Sequence, residues 1–162
     1  MSEIISIQAH IERLDQLTEI ENPQILDLCT TAIRASELAY APYSNYKVGA
    51  AILLADDSII LGNNQENAVY PLGLCAERVA IYAASSQSLN NPIIALAVAT
   101  HKPLAKGELP PFPCGSCRQV ILEKENRYQQ SIDVYVIGSD QSVCIVRGAK
   151  HLLPFAFDAS SL

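Results

Sequence analysis

The 162-residue sequence predicts an α/β fold, a three-layer α/β/α sandwich with one sheet between helix layers, and three observations carry that prediction. Five short apolar runs, "VGAAILLA", "SIILGN", "IIALAVAT", "DVYVIG" and "SVCIVRG", have strand character and alternate with segments of helical spacing. The middle run, "IIALAVAT", is almost continuously apolar, as in a central strand covered on both faces. The resulting order α, α, β, β, α, β, α, β, β is that of one sheet sandwiched by helices. No internal repeat, linker or low-complexity segment breaks it, so residues 1–162 are expected to form one domain. A chain of this length buries about 70% of its unfolded surface and needs no staple to fold.

Each element follows from local signals. Ile4, Ile7, Ile11, Leu14 and Leu17 recur at intervals of three and four, which predicts a short helical extension over residues 1–20. Asn22 and Pro23 are a cap and first-turn pair for a second helix, with Ile25, Leu28, Cys29, Ala32, Ile33, Ser36 and Leu38 along its inner side. That helix stops near "AYAPYSNY", because Pro42 pushes Ala41 out of helical geometry. Asp56 and Asp57 separate the first two apolar runs and predict a β-hairpin. A loop rich in Asn and Pro leads to a third helix at "GLCAERVAIY", and the Pro-studded "HKPLAKGELPPFP" follows the central run. A fourth helix is expected from about Ser116 to Arg127, then two strands joined by a turn at Ser139 and Asp140, and a short final segment, "KHLLPFAF".

Composition narrows the partners. The five cysteines are odd in number, and no positively charged, apolar leader precedes them, which predicts a reduced, cytoplasmic protein. No apolar run reaches the ~20 residues that cross a bilayer, so no membrane partner is expected. Net charge is −6 and the Lys and Arg residues are scattered singly, an arrangement that repels a nucleic acid polymer and suits a small, weakly charged substrate.

The chemistry lies in the thiols. Alone, Cys75 in an apolar helix reads as a small buried hydrophobe, and the single CxxC of Cys114 and Cys117 is open between half a zinc site, a redox pair and coincidence. Together the three can form three corners of a tetrahedron, and a catalytic zinc leaves the fourth corner to water. Cys29 and Cys144 sit in apolar patterns and read as core packing. None of His10, His101 and His151 lies at metal-ligand spacing, and His10 and His151 read as solvated helix positions. All three candidate ligands are expected at helix N-termini, whose partial positive charge favours thiolates. Three thiolates and Zn²⁺ still sum to a negative charge, which Arg78 or Arg118 can offset, although the alternative for either is a surface salt bridge, and for Arg118 the two readings weigh about equally. Glu77, two residues from Cys75, does not face it on a helix and so is not a ligand of the same ion. It can act on the ion's water as a general acid/base, or be a solvated glutamate in a first helical turn.

These residues resemble the zinc-dependent cytidine deaminases, in particular their small homotetrameric branch. Their HxE…PCxxC signature has its counterpart in "CAE" at 75–77, with Cys in place of His, and "PCGSC" at 113–117. The similarity runs over residues 25–157, taking in "YAPYSNYKVGAAIL", "NNQENAVY" and "LLPFAF". It implies a mixed five-stranded sheet, one zinc per chain held by Cys75, Cys114 and Cys117, Glu77 as proton shuttle and Arg78 as charge compensation. It further implies Tyr46 near the base, Asn64 and Glu66 on the ribose 3′-hydroxyl, and Phe157 reaching toward a neighbouring subunit's site in a homotetramer. The loop from His101 to Pro113 and the N-terminal extension depart from that pattern.

The reaction so implied is hydrolytic deamination of cytidine and 2′-deoxycytidine to uridine and 2′-deoxyuridine by a zinc-activated water, a step of pyrimidine salvage. A sister reading takes another cytosine-bearing small molecule, such as blasticidin S, against which the Asn64 and Glu66 pair argues for a ribose. A polymer-editing deaminase would want a basic channel and stacking aromatics, which the acidic composition does not offer. A non-enzymatic zinc or redox module would leave Glu77 without a purpose.

Overall fold

The computed structural model describes residues 3–162. Asn22 opens the first long helix, α1 (Pro23–Glu37), its side chain accepting from the backbone N–H of Gln24 at 2.9 Å and of Ile25 at 3.4 Å, with Pro23 in the first turn. Leu28, Cys29 and Ala32 recur on one side of α1 and are fully buried, and a side chain such as Leu28 contributes about 1.5–3 kcal/mol by leaving water. Leu38 caps the helix and is 76% exposed, so the inner stripe ends at Ser36 rather than at Leu38.

Strands β2 (Val48–Leu54) and β3 (Ile59–Asn63) form the expected hairpin, closed by the Leu54 N–H on the Ser58 carbonyl at 3.0 Å and turned at Asp57, whose φ is 67°. Helix α2 (Ala76–Gln87) leads to the central strand β4 (Ile93–Thr100), and α3 (Gly115–Tyr128) leads to the pair β5 (Asp133–Ile137) and β6 (Val143–Arg147). β4 lies antiparallel to β2 and parallel to β5, which makes the sheet mixed. Parallel neighbours need a long crossover, and α3 is that crossover. Residues alternate between faces: Ala50, Ile52 and Leu54 pack toward α2 and α3, whereas Ala51 and Leu53 pack toward α1. Two cores on opposite faces of one sheet make three layers.

The sheet has six strands, not five, in the order β1-β6-β5-β4-β2-β3. The additional strand is β1 (Glu12–Leu14), antiparallel to β6, within the segment whose spacing predicts a helix. The helical extension over residues 1–20 is therefore not formed among the described residues; residues 1 and 2 of it lie outside them. Ile4, Ile5, Ile7 and Ile11 are exposed, so no apolar surface receives the stripe that a helix there would present. The free N–H and C=O groups of the β6 edge offer this segment a ladder instead, and Arg147 of β6 pairs with Glu12 at 3.2 Å. Among the described residues of the extension, only Leu17 and Ile20 are buried, against the α1 side of the sheet.

Candidate metal centre and active-site cleft

Backbone bonds bring distant parts of the chain to one end of the sheet. Gln65 and Leu74 exchange both backbone hydrogen bonds at 2.9 Å, which folds the loop after β3 back on itself and, in the antiparallel register, sets Cys75 across from Asn64 and Gly73 across from Glu66. Cys75 is the N-cap of α2, Cys114 the N-cap of α3, and Cys117 lies in the first turn of α3. The two helix N-termini converge, and their partial positive charges fall on the thiols.

The three sulfurs lie within 4.8 Å of one another, with Cys75 Sγ 3.8 Å from Cys114 Sγ and Cys114 Sγ 3.5 Å from Cys117 Sγ. Tetrahedral zinc with Zn–S bonds of about 2.3 Å needs sulfur separations of about 3.8 Å, so the set fits that ion. No fourth His, Cys, Asp or Glu joins the cluster among the described residues, as a catalytic rather than a structural zinc requires. Hydrogen bonding with Cys117, then Arg78, brings the Cys75 thiol down to about 5 despite its partial burial. The same bond and burial push the Cys117 thiol up. Arg78 Nη2 lies 3.6 Å from Cys75 Sγ, where a guanidinium opposes thiolate charge, and its Nε is buried without a protein partner.

Glu77 is only 4% exposed and faces the same cleft as Cys75. Burial pushes its pKa up, and the Cys75 thiolate adds to the rise. Gly62 of β3 makes this placement possible: a Cβ there would stand 2.4 Å from the Ala76 carbonyl oxygen and 2.5 Å from the Ala80 nitrogen, so α2 lies directly on the strand.

The cleft encloses about 580 Å³, within the range of small-molecule sites. Tyr46, Asn64 and Glu66 all line it. Asn64 Oδ1 accepts from the Val48 N–H at 2.8 Å and its amide donates to the Tyr46 carbonyl at 2.9 Å, which leaves one proton and one lone pair for a ligand. Phe157 is not in the cleft: it is 61% exposed in the C-terminal segment, its carbonyl held by Gln119 Nε2 at 2.8 Å. Arg118 takes neither role expected of it, donating from Nε to the Pro113 carbonyl at 2.7 Å and from Nη1 to the Leu152 carbonyl at 2.9 Å. It thus ties the turn before Cys114 to the C-terminal segment. His10 and His151 are not helix positions of the solvated kind either. Their rings meet edge to face at 5.4 Å, and His151 ends a short 3₁₀ turn with its Nδ1 buried.

Sequence reasoning passed over Ser44, Tyr70 and Phe112, which also line the cleft. Tyr70 sits within the quoted "NNQENAVY" and Ser44 within "YAPYSNY", where a hydroxyl between two tyrosines in a Pro turn is the available signal. Phe112 had none, because its place depends on how the Pro-rich loop folds back.

Residues 23–129 match the family described as the cytidine and deoxycytidylate deaminase zinc-binding region. A cytidine deaminase of Halalkalibacterium halodurans is 47% identical over 135 residues, covering 83% of this chain and 95% of that one. Another, of Sporosarcina psychrophila, is 42% identical over 129 residues, covering 80% and 88%. The crystal structure of a cytidine deaminase from Burkholderia pseudomallei superposes with a TM-score of 0.70 at 39% identity, covering 81% of this chain and 97% of that one. A match over most of the chain, centred on three thiols whose separations suit zinc, leads to one conclusion: the chain belongs to the zinc-binding cytidine and deoxycytidylate deaminases, a family of hydrolytic enzymes.

Proposed function

We propose that this protein hydrolyses cytidine and 2′-deoxycytidine to uridine and 2′-deoxyuridine with release of ammonia, as a step of pyrimidine salvage in the cytoplasm. The observation that carries the reading is the buried Glu77 carboxyl in the wall of a nucleoside-sized cleft, beside three thiols that suit an open-sided zinc. Bound by Cys75, Cys114 and Cys117, zinc supplies Lewis acidity toward the attacking water. Glu77 takes a proton from that water and delivers it to N3 of the base, then carries a second proton to the departing amine, so that cytidine and water become uridine and ammonia. Burial raises its pKa, which suits a group that must both accept and return a proton. Arg78 offsets excess thiolate charge. Tyr46 packs near the base, while Asn64 and Glu66 hold the 3′-hydroxyl.

A free nucleoside is favoured over a nucleotide because the cleft's charged lining groups near the sugar include the Glu66 carboxylate and no Lys or Arg. The protein acts as a homotetramer in which Phe157 of one copy reaches the site of another, a reading supported by the exposure of that ring at the end of an anchored segment. No helix among the described residues is long and apolar enough to cross a membrane. Counting zinc in the purified protein and following cytidine absorbance with and without a chelator tests the function. About one zinc per chain and chelator-sensitive turnover are expected; a zinc-loaded protein inert toward cytidine and 2′-deoxycytidine overturns the reading.

A further inference from the structure

We propose that Ser44 is a positioning residue for nucleoside recognition, its hydroxyl clasping the Glu66 carboxylate to the turn that carries Tyr46. The inference rests on the reading of Glu66 and Tyr46 as substrate contacts and adds the group that fixes them relative to each other. A serine hydroxyl has one proton and two lone pairs. Ser44 Oγ gives its proton to Glu66 Oε1 and accepts from the Tyr46 N–H at 3.0 Å. Glu66 Oε2 in turn accepts the backbone N–H of Tyr43 at 2.8 Å and that of Ser44 at 3.3 Å. Asn45 between them adopts φ 57°, a left-handed conformation that asparagine tolerates and that brings the Tyr46 N–H back to the hydroxyl.

The count of acceptor sites gives the clasp its meaning. A carboxylate offers about four lone-pair directions, and the turn occupies three of them, so about one remains for a hydroxyl of the ligand. Without Ser44, the Glu66 carboxylate loses its side-chain anchor and can rotate, while the Tyr46 N–H loses its acceptor. The Ser44 hydrogen bond is also the foremost cause holding Glu66 below the usual carboxylate range. Backbone bonds from Glu66 N–H to the Tyr40 carbonyl at 2.9 Å and from Tyr40 N–H to the Asn64 carbonyl at 3.0 Å fix the two segments as chains but not the direction of the carboxylate.

The test is steady-state kinetics of Ser44→Ala, Ser44→Thr, Glu66→Gln and the Ser44→Ala/Glu66→Gln pair on cytidine and 3′-deoxycytidine. Loss of one charge-assisted hydrogen bond predicts a KM for cytidine about tenfold higher in Ser44→Ala, with kcat changed less than about twofold. The preference for cytidine over 3′-deoxycytidine narrows in that variant, and Ser44→Thr recovers most of both losses. Because Ser44 acts through Glu66, the double variant is little worse than Glu66→Gln alone. Ser44→Gly deletes the same hydroxyl and is read in its place should the alanine variant fail to fold. Unchanged KM and 3′-discrimination in Ser44→Ala, a loss confined to kcat, or additive losses in the double variant overturn the role of Ser44 and leave that of Glu66 intact. A Glu66→Gln enzyme that discriminates as the wild type does overturns the sugar reading itself, and the clasp with it.

Discussion

A glutamate in the first turn of a helix is ordinarily solvated and ionised, and that is one of the two readings the sequence leaves open for Glu77. Its burial in the cleft wall removes the solvated reading, and a desolvated carboxyl with a raised pKa is suited to the proton transfer proposed for it. Glu77→Gln keeps the shape of the side chain and none of its proton traffic. It is expected to retain zinc and folding while kcat falls by about 10²- to 10⁴-fold, the usual span for such a group. Cys75→Ala is expected to lose zinc as well as turnover, and a zinc assay run beside the kinetics separates the two cases. Near-wild-type turnover in Glu77→Gln would remove the shuttle role. The three thiols, by contrast, were legible once taken together, because CxxC and CxE pin residue types to fixed offsets, although neither motif alone separates zinc from a redox pair or coincidence. Cys29 carries a different consequence of burial, which pushes its thiol from an ordinary 9.0 up to about 12. Below pH 9.0 the thiol is neutral in folded and unfolded chains alike, and its contribution to stability is fully present. As pH rises from there toward 12, the unfolded chain releases the proton and the folded one keeps it, so stability falls by up to ~1.4 kcal/mol per pH unit. Urea midpoints from pH ~8 to ~10.5 are expected to drop more steeply for the wild type than for Cys29→Ala; parallel slopes would contradict this account.

At the scale of elements, α2 and the hairpin it rests on form the mechanical support of the site. Gly62 lets the first turns of α2 touch β3, and Gly49 does the same for α1 on β2, where a Cβ would stand 2.1 Å from the Ala32 carbonyl oxygen. In each case the two nearest obstructing atoms are backbone, which cannot swing aside as a side chain can. Gly62→Ala is therefore expected to lift α2, costing about 1–3 kcal/mol by overpacking and weakening both zinc retention and turnover. A thermal melt and a chelator titration check it, and an unchanged pair of values would mean that α2 does not bear on that glycine. Most elements were readable from pattern: the Asn22 and Pro23 start of α1, the aspartate turn of the hairpin, and β4 as a strand covered on both sides. The extension was misread because periodicity reports which residues could share a face, not whether a surface exists to receive it. Leu14 and Leu17 fit the helical stripe, yet a hydrogen-bonding edge on β6 lay within reach and no core did for Ile4, Ile7 and Ile11. Arg118 was likewise undecidable from sequence, since both its partners are carbonyls, of Pro113 and of the distant Leu152.

For the molecule as a whole, the distribution of apolar surface argues for company. Val69, Tyr70 and Leu72 near the cleft mouth and Phe155 and Phe157 at the C-terminal end are all exposed, more than isolated surface residues require. Light scattering at micromolar concentration is expected to give the mass of four chains, and a fully active species with the mass of one chain would end the tetramer reading. Assembly lies beyond what one chain's pattern states, because an interface residue and a core residue obey the same hydrophobic rule. The three residues of β1 bear on assembly of another kind. By sealing β6 they leave its row of backbone donors and acceptors unavailable to strangers, and the ion pair between Glu12 and Arg147 marks the rim with charge. A chain shortened to begin at Gln16 would retain every cleft residue yet bare a strand rich in Val and Ile, Val143 to Arg147, to other molecules. Such a protein is expected to begin as a competent catalyst and to lose itself with time into sedimenting, cross-β aggregates, so that what the N-terminal strand governs is the working lifetime of the enzyme rather than its rate.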